Sequence, residues 1–413
     1  MHDLFGAEMQ RWDSVETKIR KTLSIAGYQE IRTPVLEKLE VFSKSVGDET
    51  DIVEKQMYTL AGSDNETLAM RPEETAAFIR AVIEHNLHRT GVPQRYFYYL
   101  PMFRYERPQK GRLRQFHQFG AEFINDGSPE ADAEVITLTE MIFKNLGISE
   151  FEIKINSVGC NDCRPLYKEV LKQYYLPHLA SLCADCQKRF ERSPLRLLDC
   201  KKDAANEINK NAPLITNHLC ENCANHHVRV KAALVSLNTK FSEDPLIVRG
   251  LDYYSRTAFE VTSSLLGSQD ALGGGGRYDS LAARFDEKPF PAVGVALGME
   301  RIMLALEQKE ILPAVTLTDY YFVSLGKSAF EMLFPLSFAL KRKGISVEMN
   351  YDYQKSVKSQ FKNADRSGAK FTVVIGDNEI QQGTVVIKDM QQRTQETIAF
   401  EGLEEALTRR IQL

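Results

Sequence analysis

Chemistry is densest between residues 103 and 123, FRYERPQKGRLRQFHQFGAEF, where Arg104, Arg107, Lys110, Arg112 and Arg114 crowd against only Glu106 and Glu122. Guanidinium groups bind phosphate through two parallel hydrogen bonds, whereas Gln118 and Glu122 suit the amine or ring nitrogens of a small substrate. Phosphate binding beside amine binding suggests a nucleotide and an amino acid brought together. The plainer alternative is a charged hairpin facing water.

Further segments carry related chemistry. In MRPEETAAFIRAVIEH, Pro72 is expected at the opening of a helix, with Glu73 and Glu74 in its first turn complementing the helix dipole. In the stretch LIVRGLDYYSRTAFEV, Arg249 is expected to enter from a strand opposite the hairpin, as a clamp for phosphate and developing negative charge. Four glycines precede Arg277 and Tyr278, which suits close approach of backbone to a ligand, and no Gly-Lys-Ser/Thr follows as in a Walker loop. Three Cys-x-x-Cys pairs, Cys160/Cys163, Cys183/Cys186 and Cys220/Cys223, stand with Cys200 in a segment poor in large apolar residues. Two such pairs can close a tetrahedral zinc site. Cys183, Cys186, Cys220 and Cys223 are the expected ligands, because both pairs follow a leucine and precede polar helical sequence. Reduced, buried cysteines are the alternative.

Residues 103–123 resemble motif 2 of the class II aminoacyl-tRNA synthetases, in the form found in histidyl-tRNA synthetases. Arg71-Pro-Glu-Glu-Thr75, Arg249-Gly-Leu-Asp-Tyr-Tyr254 and Gly275-Gly-Arg-Tyr-Asp279 are similar to that family's substrate-site signatures, and PAVGVALGMER, ending at Arg301, resembles its motif 3. The matches occur in the family's order, and the likeness runs almost from end to end, weakest in the middle. Glu74 departs from the glycine usual in the fourth position of the first signature, and Ser280 replaces another common glycine.

The resemblance implies ATP-dependent activation of histidine and its transfer to tRNA(His), with Mg²⁺ bridging the phosphates. It implies Arg104 and Arg249 as catalytic groups; Arg104, Arg112 and Arg301 on ATP; and Glu73, Thr75, Gln118, Glu122, Tyr254 and Tyr278 on histidine. It implies a homodimer, whose interface resembles motif 1 near Pro34; a cytoplasmic enzyme is expected because the sequence shows neither a membrane-length apolar run nor the apolar core of a signal peptide. It also implies an insertion whose family needs no metal there for catalysis. A non-catalytic paralogue regulating histidine biosynthesis is the competing reading. Such proteins lack the C-terminal domain and tend to lose the arginines, which are present here. A zinc-dependent nucleic-acid-binding protein, suggested by the cysteines alone, leaves the motifs on both sides unexplained.

Elements must hold these groups in place. The runs flanking Pro108 and Gly111 have strand character, so a long β-hairpin is expected, with Arg114, Phe116, Gln118, Gly120 and Glu122 on one face and Gly120 admitting a ligand to the backbone. Residues 4–26 have helical spacing and stop at Gly27; 56–69 read as a hairpin; 125–147 read as a turn and helix capped at Ser128; and 151–159 as a strand. After a linker at 307–318, four strands alternating with helices at 329–343 and 354–367 indicate an α/β unit with a mainly parallel sheet. Lys355, Lys358, Lys362 and Arg366 form a basic face on the second helix, suited to a phosphate backbone or simply solvated. The unit resembles an anticodon-binding domain. The fold class is therefore α/β in the broad sense (α+β): an antiparallel catalytic sheet in two parts, 1–156 and 245–312, a Cys-rich helical insertion at 157–244, and an anticodon-binding unit at 319–413.

Composition bounds the rest. With 413 residues, 43% hydrophobic and 26% charged, the chain is globular and needs more than one core. A net charge of −4 means that RNA contact must come from local basic patches. No apolar run reaches membrane-span length, and seven cysteines without a secretion signal disfavour a disulfide framework.

Overall fold

The computed structural model describes residues 3–46, 56–62, 66–107, 111–198, 200, 202–203, 206–248, 253–267, 270–315 and 318–412. The chain divides into two compact units, Met1–Pro313 and Ala314–Leu413.

The strands of the first unit are β1 (Gln29–Glu30), β2 (Leu36–Lys38), β3 (Thr59–Ala61), β4 (Thr67–Met70), β5 (Gln94–Phe103), β6 (Gln115–Ile124), β7 (Glu152–Ser157), β8 (Ser242–Glu243), β9 (Ser255–Thr262), β10 (Ala271–Arg277) and β11 (Ala292–Gly298). Eight of them form one sheet in the order β1-β5-β6-β11-β10-β9-β7-β8, antiparallel except at its two edges. β5 and β6 pair along ten residues from Gln94↔Ile124 to Phe103↔Gln115, which is the expected hairpin; its loop residues 108–110 lie outside the described residues. β2, β4 and β3 make a small separate sheet.

The side-chain period of two divides the large sheet cleanly. Phe119, Ala121 and Phe123 of β6 and Val293, Val295 and Leu297 of β11 enter the main core, against the helices Gly6–Ile25, Pro129–Asn145 and Met299–Gln308. Their neighbours Gln118, Glu122, Gly294 and Gly298 are thereby turned to the opposite face. Local signals set the helix ends. Ser128 Oγ accepts from the Ala131 N–H at 3.3 Å, and Gly27 and Gly147 take left-handed conformations past two helix ends.

One local expectation is corrected. The helix after Pro72 begins at Thr75, so Glu73 and Glu74 precede it, and Glu73 caps it by accepting from the N–H groups of Thr75 and Ala76, both at 2.9 Å.

The second unit has β12 (Tyr320–Ser324), β13 (Val347–Met349), β14 (Phe371–Ile375), β15 (Thr384–Asp389) and β16 (Gln395–Ala399), in the order β13-β12-β14-β15-β16. Only β13, β12 and β14 are parallel; β14, β15 and β16 run antiparallel. The sheet is therefore mixed, because the short helix Asp377–Gln382 before β15 returns the chain on itself and does not cross the sheet. β16 and the helix Leu403–Gln412 were not foreseen. Lys355, Lys358, Lys362 and Arg366 are all exposed. Among the described residues no helix is long and apolar enough to cross a membrane.

Candidate active site

On the face of the large sheet away from the main core lies a cleft of about 330 Å³. The hairpin and its loop supply Arg104, Glu106, Arg112, Phe116 and Gln118; the residues before the helix Thr75–Glu84 supply Glu73, with Thr75 at its start; Tyr253 and Tyr254 lead into β9, Tyr278 follows β10, and Arg301 stands in the first turn after β11. Glu122 lies behind this lining, buried, with Oε1 accepting from the Thr75 hydroxyl at 3.0 Å and Oε2 from the Tyr278 hydroxyl. The cross-strand partner of Glu122 is Gly294, where a Cβ would stand 1.6 Å from Glu122 Oε2. A side chain there would displace the carboxyl.

Charge changes sign along the cleft. At one side Glu122 and Glu73 lie among tyrosines. Burial pushes Glu122 up to about 8 against the pull of its two hydroxyl donors, with Glu73 and Glu74 adding to the rise. Burial also raises Glu73, opposed by the backbone donors of Ala76 and Thr75 and by the Arg104 charge. Arg104 comes next, its Nε donating to Pro72 O at 2.8 Å and its guanidinium 5.1 Å from the Phe116 ring centre. Beyond it Arg112 pairs with Glu106 at 2.6 Å, and Arg301 donates to Ala271 O. Burial, and then the charge of Arg112, lower the pKa of Arg301. An acidic recess suits a cationic amine, and a cationic neighbouring wall suits phosphates.

The histidyl-tRNA synthetase family model matches residues 1–302, and an anticodon-binding domain model matches 320–410. This chain belongs to the histidyl-tRNA synthetase family. It is 43% identical over 407 residues to the histidine–tRNA ligase of Halothermothrix orenii, covering 98% of this chain and 97% of that one. It is 44% identical over 391 residues to that of Thermotoga maritima, covering 94% and 92%. The crystal structure of apo Staphylococcus aureus histidyl-tRNA synthetase superposes with a TM-score of 0.83 at 34% identity, over 98% of each chain.

Of the residues singled out by likeness to histidyl-tRNA synthetases, the cleft gathers Glu73, Thr75, Arg104, Arg112, Gln118, Tyr254, Tyr278 and Arg301, with Glu122 bonded to two of them. Arg249 lies outside the described residues. Gly120 has a different role from the one expected. Its open side is filled by the buried Tyr98 ring, which a Cβ would meet at 2.0 Å, so it admits a neighbouring side chain and not a ligand. Arg114 is not in the cleft wall; its guanidinium lies 4.4 Å from the Tyr105 ring centre.

Tyr253, Glu106, Glu260 and Phe116 also line the cleft. For Glu260, alternation along β9 was the available signal. Within the signature residues, Arg277 serves the framework. It is fully buried and donates through Nε to Asp132 Oδ1 at 2.9 Å, while Asp132 Oδ2 meets His226 Nε2 at 2.7 Å and accepts from the Thr257 hydroxyl. Burial alone would raise the Asp132 carboxyl, but Arg277 and His226 outweigh it and hold the group below its ordinary range. An acid on the apolar stripe of the helix Pro129–Asn145 was the signal for this buried network. Glu74, standing where the histidyl-tRNA synthetase pattern usually has glycine, accepts from the Thr33 hydroxyl at 2.6 Å and lies 3.6 Å from the Arg71 guanidinium.

The expected metal set is corrected. Cys183 and Cys186 gather with Cys200 and Asp203, whereas Cys220 and Cys223 gather with Cys160 and Cys163. Like spacing describes each half-site but says nothing of which half-sites meet.

Proposed function

We propose that this chain is a histidine–tRNA ligase that joins L-histidine to ATP as histidyl-adenylate, releases pyrophosphate, and passes the histidyl group to tRNA(His), releasing AMP. The observation that carries this reading is the charge order along the cleft, from Glu122 and Glu73 through Arg104 to Arg112 and Arg301. A substrate amine and imidazole at one side and a triphosphate at the other set the histidine carboxylate beside the α-phosphate.

In the first step a histidine carboxylate oxygen attacks the α-phosphorus as the bond to pyrophosphate breaks. The protein contributes position and charge, not covalent chemistry. Arg104 and Arg249 neutralise the developing negative charge, and Arg112 and Arg301 hold the outer phosphates. Glu73 and Thr75 hold the α-amino group, while Gln118, Glu122, Tyr254 and Tyr278 read the imidazole and the remaining polar atoms. An amino acid without imidazole leaves these buried groups unpaired, which rejects it at binding without a separate editing step. ATP enters as its magnesium complex; Glu106 and Glu260 in the cleft wall are oxygen donors of the kind that ion takes, and the ion supplies further neutralisation of phosphate charge. In the second step a terminal ribose hydroxyl of the tRNA attacks the acyl carbon and AMP leaves.

The division proposed is a catalytic unit in two parts, 1–156 and 245–312, an insertion at 157–244 and an anticodon-binding unit at 319–413, working as a cytoplasmic homodimer. The basic face of the helix Val357–Ser367 is assigned to tRNA, and Val35, Leu36 and Leu60, exposed at the small sheet, to a second copy of the chain. ATP–pyrophosphate exchange driven by histidine tests the reading. Arg104→Ala and Arg249→Ala should each lower it by about 10²- to 10³-fold while circular dichroism is unchanged; normal exchange would remove the arginine concerned from its role.

A further inference from the structure

All seven cysteines fall into two groups that share no member. One is Cys160, Cys163, Cys220 and Cys223; the other is Cys183, Cys186, Cys200 and Asp203, and in each group one donor atom per residue lies within 4.8 Å of the others. The odd cysteine total is thereby used up, with a carboxylate completing the second group.

The spacing is that of ligands around a single ion. Sγ–Sγ separations are 3.7 Å for Cys160–Cys163, 3.8 Å for Cys160–Cys220, 3.9 Å for Cys163–Cys223 and 3.7 Å for Cys183–Cys200. Four sulfurs placed tetrahedrally at about 2.3 Å from zinc stand roughly 3.8 Å apart. A disulfide needs about 2 Å, and every cysteine is free. An iron–sulfur cluster spreads its cysteines around several metals and would hold them farther apart.

Local structure positions the sulfurs. Cys220 and Cys183 immediately precede the helices Glu221–Ser236 and Ala184–Arg192, and Cys223 and Cys186 stand in their first turns, so each pair is carried on one rigid helix start. Cys163 Sγ accepts from the Cys160 N–H at 3.1 Å, and Cys160 Sγ from the Asp162 N–H at 3.4 Å. Such outer bonds orient metal ligands. Gly159 turns the chain with a φ of +69°, and a Cβ there would stand 2.7 Å from Cys163 Sγ.

We infer that the chain holds two structural zinc ions, one in each group. Both sites have four protein ligands and leave no position for substrate, which makes them structural. Their consequences differ. The first ion clamps the segment after β7 to the start of the helix Glu221–Ser236; the same helix carries His226 to Asp132, which holds Arg277 next to Tyr278 of the cleft. The second joins Cys183 and Cys186 to Cys200 and Asp203 and closes a loop within the Cys-rich segment alone.

The test uses the full chain, expressed with added zinc and purified under reducing conditions, with metal content read by plasma mass spectrometry. Two zinc ions per chain are expected, one in the double variant Cys160→Ser/Cys220→Ser and one in Cys183→Ser/Cys200→Ser. Should a variant not fold, cobalt(II) titration of the metal-stripped native chain gives an independent readout. Thiolate-to-cobalt charge transfer and tetrahedral visible bands should saturate at two equivalents. A reduced native chain that carries no zinc and gives no tetrahedral cobalt spectrum would overturn both sites. One equivalent retained by Cys183→Ser/Cys200→Ser and lost from Cys160→Ser/Cys220→Ser would overturn the second.

Discussion

The substitution Glu122→Gln should make the empty protein more stable and the enzyme worse, by amounts that depend on pH in a calculable way. Glu122 is buried at the floor of the acidic recess, and its carboxyl is pushed up to about 8 from an ordinary 4.5. Between these values the folded chain holds a proton that the unfolded chain has lost, so stability falls as pH rises. The penalty is absent below about pH 4.5, grows by roughly 1.4 kcal/mol per pH unit, and levels off above about 8. At pH 7 it reaches about 3 kcal/mol over some two and a half units. The amide of the variant titrates nowhere, so the difference in stability between variant and parent should widen with that slope from pH 5 to pH 8.

The assay is urea unfolding at a series of pH values, followed by the fluorescence of Trp12. It is the only tryptophan in the chain and is buried in the main core of the larger unit. Glu74, also pushed up to about 8, is present in both proteins; its charge helps to raise Glu122, so removing Glu122 relieves both groups and adds to the widening. Histidine-driven exchange should fall about 10-fold in the variant at pH 7, the loss of one hydrogen bond to a carboxyl that its raised pKa keeps mostly protonated. Parallel stability curves for variant and parent across pH 5 to 8 would refute the reasoning, whatever happened to activity.

Gly294→Ala should destabilise by about 1–3 kcal/mol and lower histidine-driven exchange, since its methyl takes the space of the Glu122 carboxylate; thermal melting and exchange measure the two effects, and a neutral variant would contradict that placement. Asp132→Asn should cost about 3 kcal/mol, since the buried Arg277 guanidinium keeps its pair with Asp279 but loses its fully buried carboxylate partner. A loss below about 1 kcal/mol in urea unfolding would show that the network does not depend on that charge.

The hairpin was legible because alternation and turn residues are local, and so was the face carrying Gln118 and Glu122. What Gly120 does was not, since nothing near it in the chain says that Tyr98 is its cross-strand partner. The same limit explains the cysteines: two-residue spacing identifies a half-site, but the pairing follows from where β7 ends and the helix Glu221–Ser236 begins. Glu73 was legible as an acid near a helix start, yet its capping of Thr75 and Ala76 needed the observed boundary. In the second unit, β15 read as a strand, but parallel and antiparallel returns look alike where the connection is one short helix, and the largely exposed, polar β16 carried little apolar signal.

The central claim is that the recess beside Arg104 reads imidazole. Charging of tRNA(His) by the purified full chain, with ATP and each of the twenty amino acids in turn, tests it most directly. Histidine alone should be attached; attachment of a different amino acid, or of none, would contradict the account.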